Sequence, residues 1–189
     1  MMVNEALNYC SNQEKLCILE QHNIIAIEKI RVTIIYILFN NYKQLETIAF
    51  NCLDVCLYVQ SVLYTKFGIN SLLISGNLII DNESLYSITK DKIREMHGKN
   101  NKQLPMHVWL SVGNYIIDPS ILTTLLFSKQ TIVNSKLEDK VILQNYLVAC
   151  FELGSHKCCL SGMEFLYIPL LVGNKYYQDT SFTKSVIIP

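Results

Sequence analysis

The sequence predicts an α+β fold in a single domain, and three observations carry the prediction. Helical spacings of apolar residues crowd the first third of the chain, and strand-like alternation takes over after them. No regular strand-helix-strand alternation of the doubly wound kind is present. Half of the 189 residues are apolar and 17% are charged, which suits a compact globule and excludes a disordered chain.

Residues 4–22 show helical spacing at Leu7, Cys10, Leu16 and Leu19, with Glu and Lys between them. Residues 24–39 are rich in β-branched side chains, yet Glu28, Lys29 and Arg31 cluster, and the segment reads as a buried helix. Those charges also exclude it as a membrane span. The strongest helix covers 47–67, where Cys52, Val55, Cys56, Val59, Val62 and Leu63 recur every three or four residues. Gly68 supplies its stop. Residues 69–80 read as two short strands around Ser75-Gly76-Asn77, and 84–98 as a polar helix followed by a basic loop. A short helix is expected from Pro119-Ser120 through Phe127, another over 133–152, and a last strand over 164–172. The domain thus divides into amino-terminal helices (1–46), a core (47–120) and a carboxy-terminal helix and strand (121–189).

The segment His107 to Ser120 is the most informative. Val108, Leu110 and Val112 alternate with His107, Trp109 and Ser111, and Gly113-Asn114 is a two-residue connection suited to a hairpin. Centring the turn there pairs Val112 with Tyr115, Ser111 with Ile116, Leu110 with Ile117 and Trp109 with Asp118. His107 and Asp118 then share a face, diagonally placed, and Pro119 ends the strand. A slip of one residue would separate them. The competing reading is an edge hairpin whose His and Asp face solvent.

Charge and cysteine content narrow the chemistry. Sixteen acidic and sixteen basic residues leave no net field for nucleic acid and no polybasic block for a membrane surface. Seven cysteines, an odd number, follow an amino terminus without a basic and apolar leader. Reduced thiols in a cytoplasmic protein are therefore expected. Cysteine, histidine and aspartate are what a thiol nucleophile requires. Near the start of its helix Cys52 meets unpaired backbone N–H groups, which favour a thiolate and hold a developing oxyanion. His107 is the expected base and Asp118 its orienter. Gln44, eight residues before Cys52, is a further oxyanion donor by position, and Trp109, the only tryptophan, is a wall for a substrate groove beside His107. No cofactor is implied. Cys52 with Cys56, or His156 with Cys158 and Cys159, lacks the two-pair spacing of a zinc site. His97 reads as solvated.

The run Asn51-Cys52, Cys56, an amphipathic helix, Phe67-Gly68-Ile69, then His107-Val108-Trp109-Leu110, a turn and Asp118-Pro119-Ser120 resembles the transglutaminase-like core. The resemblance covers residues 47–120. It implies a papain-like fold, with the nucleophile-bearing helix packed on an antiparallel sheet, and carries over Cys52, His107 and Asp118 as a triad. Asn51, next to Cys52 in the chain, is expected beside the substrate. The family has glycine before the cysteine and alanine four after it, where this chain has Asn51 and Cys56. Cys56 is thus a rival nucleophile, but it lies a full turn inside the helix. Asn51-Cys52-Leu53-Asp54 also echoes the Asp-Cys-Ser-Gly of bacterial cell-wall peptidases, which work outside the cytosol. The expected function is cysteine-dependent acyl transfer from an amide of a protein or peptide, as a protease, glutamine deamidase, amidase or amine transferase. A bacterial effector acting in a host cytosol would fit. The alternative is a papain-like domain that binds a peptide or protein partner without catalysis.

Overall fold

The computed structural model describes residues 6–11, 14, 27–42, 44–99, 105–113, 115–128, 148–152, 158–160 and 162–180. In chain order its elements are β1 (Leu7–Asn8), α1 (Ile27–Asn41), a 3-10 turn at Leu45–Thr47, α2 (Cys52–Phe67), β2 (Leu72–Ile80), β3 (Glu83–Tyr86) and α3 (Lys90–Met96). There follow β4 (His107–Val112), β5 (Tyr115–Asp118), α4 (Ile121–Phe127), β6 (Ala149–Glu152), β7 (Cys158–Leu160), β8 (Met163–Val172) and α5 (Lys175–Asp179). The expected α+β plan holds. Among the described residues the eight strands join one sheet, in the order β1-β8-β2-β4-β5-β6, with β3 on β2 and β7 on β8. Every pairing is antiparallel except that of β1 with β8.

The alternation along β4 sorts two cores. Val108, Leu110 and Val112 face α1, α2, α3 and α5, packing with Ile34, Val55, Val59, Leu63, Ile93 and Tyr177. Trp109 joins Ile74, Leu78, Ile116 and Phe165 on the other face, which α4 covers through Ile121, Leu122 and Leu125. α2 is therefore trapped between α1 and the sheet. Gly68, at φ 63°, closes it: its N–H donates to the Tyr64 carbonyl and that of Ile69 to Leu63, satisfying the last turn.

Two features of β2 place the site. One edge of the strand is shared end to end, β4 pairing Gly76 with His107 and β3 pairing Leu78 with Tyr86. The opposite edge carries β8, and the register there shifts between Ser75 and Gly76. A Cβ at Gly76 would run into the Ile168 carbonyl, so only glycine permits this approach.

Several expectations are corrected. β2 runs unbroken through Ser75-Gly76-Asn77. The reversal comes instead at Asp81-Asn82, whose φ values of 49° and 68° make the paired left-handed turn of a tight hairpin. The polar segment read as one helix divides into β3 and α3, because residues 83–86 complete that hairpin. Leu7 and Asn8 are strand, held by Leu171 and Val172, where a helix was expected. Ala149–Glu152 is strand too, since β5 offers it a partner edge, and Val148 before it is a bend; residues 133–147 of the expected helix lie outside the described residues. The helix expected over 47–67 begins only at Cys52. The hairpin is not at an edge: β4 lies between β2 and β5, and β5 between β4 and β6.

Glu14 anchors the amino-terminal segment. It is 1% exposed, and its carboxylate accepts from Gln60 Nε2 (3.1 Å), Leu73 N (3.2 Å), Asn174 N (3.0 Å), Ser11 N (3.0 Å) and Ser11 Oγ (3.1 Å). One side chain thus ties this segment to α2, β2 and the turn after β8. Glu14→Ala leaves several buried donors without an acceptor and is expected to cost about 3 kcal/mol. A urea titration checks this; an unchanged midpoint would show that the segment is not bound through Glu14.

Candidate active site

The observed register is the one the alternation predicts: Leu110 with Ile117, Ser111 with Ile116 and Val112 with Tyr115, with Gly113 at φ 54° in the turn. The consequence is a buried pair. His107 Nε2 lies 2.5 Å from Asp118 Oδ2, and neither residue is exposed. The solvent-facing reading of the hairpin fails on that burial.

Asp118 is held on every side. Oδ1 accepts from Ser120 N (3.1 Å), Ser120 Oγ (3.3 Å) and Ile121 N (3.0 Å), so the carboxylate also satisfies the opening N–H groups of α4. Oδ2 accepts from Tyr167 Oη at 2.9 Å in addition to His107. The imidazole has aromatic neighbours as well: Tyr86 stacks on it at 5.3 Å and Trp109 at 6.2 Å.

Cys52 is the first residue of α2 and is 8% exposed. The first α2 amide bonded to a backbone carbonyl is that of Val55, to Asn51 O at 3.0 Å; those of Cys52, Leu53 and Asp54 have none. They form the unpaired set that suits an anion. The start of the helix is fixed by Phe50, which sits at φ 62° with its N–H donated to Thr124 Oγ1 (3.0 Å). A left-handed phenylalanine costs about 1–2 kcal/mol and persists where the surroundings hold it. Here α4 holds it, the same helix whose first turn binds Asp118.

Cys52 is near enough to contribute to the raised pKa of His107. With Nε2 occupied by Asp118, Nδ1 is the nitrogen left for the thiol, and Nδ1 has no aligned partner. No hydrogen bond joins the Cys52 thiol to the ring among the described residues. Burial alone would lower the His107 pKa. The Asp118 charge and hydrogen bond, with a contribution from Cys52, outweigh it and lift the pKa to about 10.

Cys56 is different. It is fully buried and donates Sγ to the Val108 carbonyl at 3.4 Å, and burial, with Asp118 and Cys52 nearby, holds its pKa well above that of a free thiol. It is a packing residue where α2 meets β4, a position that requires a small side chain.

Other expected site residues are scattered. Asn51 is exposed beside Cys52, with its amide on Thr47 O (3.0 Å). Gln44 is exposed at the entry to the 3-10 turn and belongs to no part of the buried cluster. Trp109 lines no open groove, because it is wholly buried and packs edge-on to Tyr167 at 5.1 Å. His97 is not simply solvated: it lies 4.8 Å from the ring of Tyr9 and 5.2 Å from that of Tyr176, with Asp179 at 3.4 Å. His156 lies outside the described residues, Cys158 and Cys159 lie on β7, and no cluster of metal-ligating side chains occurs among the described residues. No described helix is long and apolar enough to cross a membrane.

Tyr86 and Tyr167 were not anticipated. Each reaches the site through strand order alone, which no local pattern encodes. Comparison with known proteins adds no relative: no family model, curated protein or solved structure matches the chain.

Proposed function

We propose that this chain is a cysteine-dependent acyl-transfer enzyme of papain-like architecture, acting on an amide of a protein or peptide substrate. The observation that carries the reading is the buried His107–Asp118 pair beside a cysteine at the amino end of a helix. In this reading the Cys52 thiolate attacks the amide carbon and forms the C–S bond, while the carbonyl electron pair moves onto oxygen. The unpaired N–H groups of the first turn of α2 receive that oxyanion. The intermediate collapses, the C–N bond breaks, and His107 gives its proton to the leaving nitrogen. Water or an amine, deprotonated by His107, then attacks the thioester and releases Cys52. Asp118 stays ionised and holds the ring. Hydrolysis, deamidation and transfer to an amine share the first half of this sequence.

One observation favours the second reading, a partner-binding domain without turnover: His107 and Asp118 are unexposed and Cys52 nearly so. Thiol reactivity separates the two. Iodoacetamide at pH 6 is expected to alkylate Cys52 ahead of the other six cysteines. Burial keeps Cys56 protonated and pushes Cys150 up to about 12. Cys56→Ser should preserve the selectivity and His107→Ala should remove it. Peptide mapping by mass spectrometry reads the result, and uniform or absent labelling overturns the enzyme reading.

A further inference from the structure

Tyr167 comes from β8, three strands from Asp118 in the sheet order β8-β2-β4-β5. β8 lies tight against β2 here, with the Ile168 carbonyl in the space a Cβ at Gly76 would take and Tyr167 registered on Leu78. The ring lies 6.4 Å from the imidazole and 5.1 Å from the indole of Trp109. Its hydroxyl donates to Oδ2, the same oxygen that faces His107, whereas every other bond to Asp118 goes to Oδ1. Two donors therefore share the charge of one oxygen.

We propose that Tyr167 is a positioning residue for the Cys52–His107–Asp118 site. Its hydroxyl holds Oδ2 against His107 Nε2 and withdraws part of the charge that His107 would otherwise feel. The groups facing the imidazole are Asp118 from β5, Cys52 from α2, Tyr86 from β3, Trp109 within β4 and Tyr167 from β8. Of these only Tyr167 competes with His107 for its acceptor. The effect has a sign: a hydrogen bond to the carboxylate weakens its pull on the imidazolium, so losing that bond raises the His107 pKa. An acid-base group works best when its pKa lies near the working pH. Tyr167 thus pulls His107 back toward the range in which it can release a proton.

This role rests on the proposed thiol chemistry, but its test does not require turnover. In the full chain labelled with 15N-histidine, Tyr167→Phe keeps the ring and removes the hydroxyl. The His107 titration measured by NMR should move up by roughly half a pKa unit. A midpoint within about 0.2 unit of the unsubstituted protein overturns the proposal. Should the variant not fold, the unsubstituted chain decides: the Tyr167 Cζ resonance should step with the titration of His107, and a flat response overturns the proposal. Loss of selective Cys52 alkylation in the unsubstituted chain would sink the enzyme reading alone, since the His107 shift reports the Tyr167–Asp118 bond independently.

Discussion

Asp118→Asn is expected to slow alkylation of Cys52 at pH 6 by roughly 10²-fold or more while leaving the chain folded. The substitution keeps one oxygen, which can still accept from Ser120 N and Ile121 N at the start of α4. The other position becomes an amide that donates, and it meets two donors, His107 Nε2–H and the Tyr167 hydroxyl. The imidazole must then expose an unprotonated Nε2. Its charge goes as well, because the Asp118 interaction is what opposes burial. Under the proposed chemistry a neutral ring offers an attacking Cys52 thiolate no counter-ion, and alkylation slows. Asp118→Ala is harsher, since it strips the acceptor from both the ring and α4, and should cost about 3–5 kcal/mol. Second-order rate constants for alkylation, with circular dichroism as the folding control, test the pair. An Asp118→Asn protein that alkylates like the unsubstituted chain would remove Asp118 from the site.

The same residues show where sequence reasoning carries and where it stops. The His107–Asp118 contact could be read because both lie in one hairpin eleven positions apart, where the pleat and a glycine turn decide the register between them. Local rules also gave α2 its stop at Gly68, where a left-handed residue is required. The start of α2 obeys no such rule. Phe50 is a poor left-handed residue, and in that conformation its N–H donates to Thr124, 74 residues away. Tyr167 and Asp118 are 49 residues apart, and their meeting depends on β8 lying next to β2. β6 was misread for a similar reason, since the apolar run of 148–151 suits a helix until β5 offers it an edge. Cys56 shows what local pattern hides: a thiol fits inside the core because its proton reaches a strand carbonyl 52 residues away.

Conformational stability should fall as the pH rises from 7 to 9, by up to about 1.4 kcal/mol per pH unit, and His107→Gln should flatten that slope. His107 has an ordinary pKa of 6.5 when unfolded and about 10 when folded, with burial lowering it and Asp118 and Cys52 raising it further. A group whose pKa is raised by folding holds its extra proton in the native state. Its stabilisation is complete below about pH 6.5 and is lost as the pH climbs through 10. The ring is wholly buried, so solvent does not screen the effect away. Other shifted groups act in a separate window. Cys56 and Cys150 begin to contribute above their ordinary 9.0, and Tyr42, Tyr86, Tyr176 and Tyr177 above 10.0, all raised chiefly by burial. Each also loses stabilisation upward, so a decline confined to pH above 9 would belong to them and not to His107. Urea midpoints at pH 6, 7, 8 and 9 for both proteins decide the matter. Matching slopes would mean that the imidazole is not held as a cation by Asp118, and the proton that the leaving nitrogen needs would have to come from elsewhere.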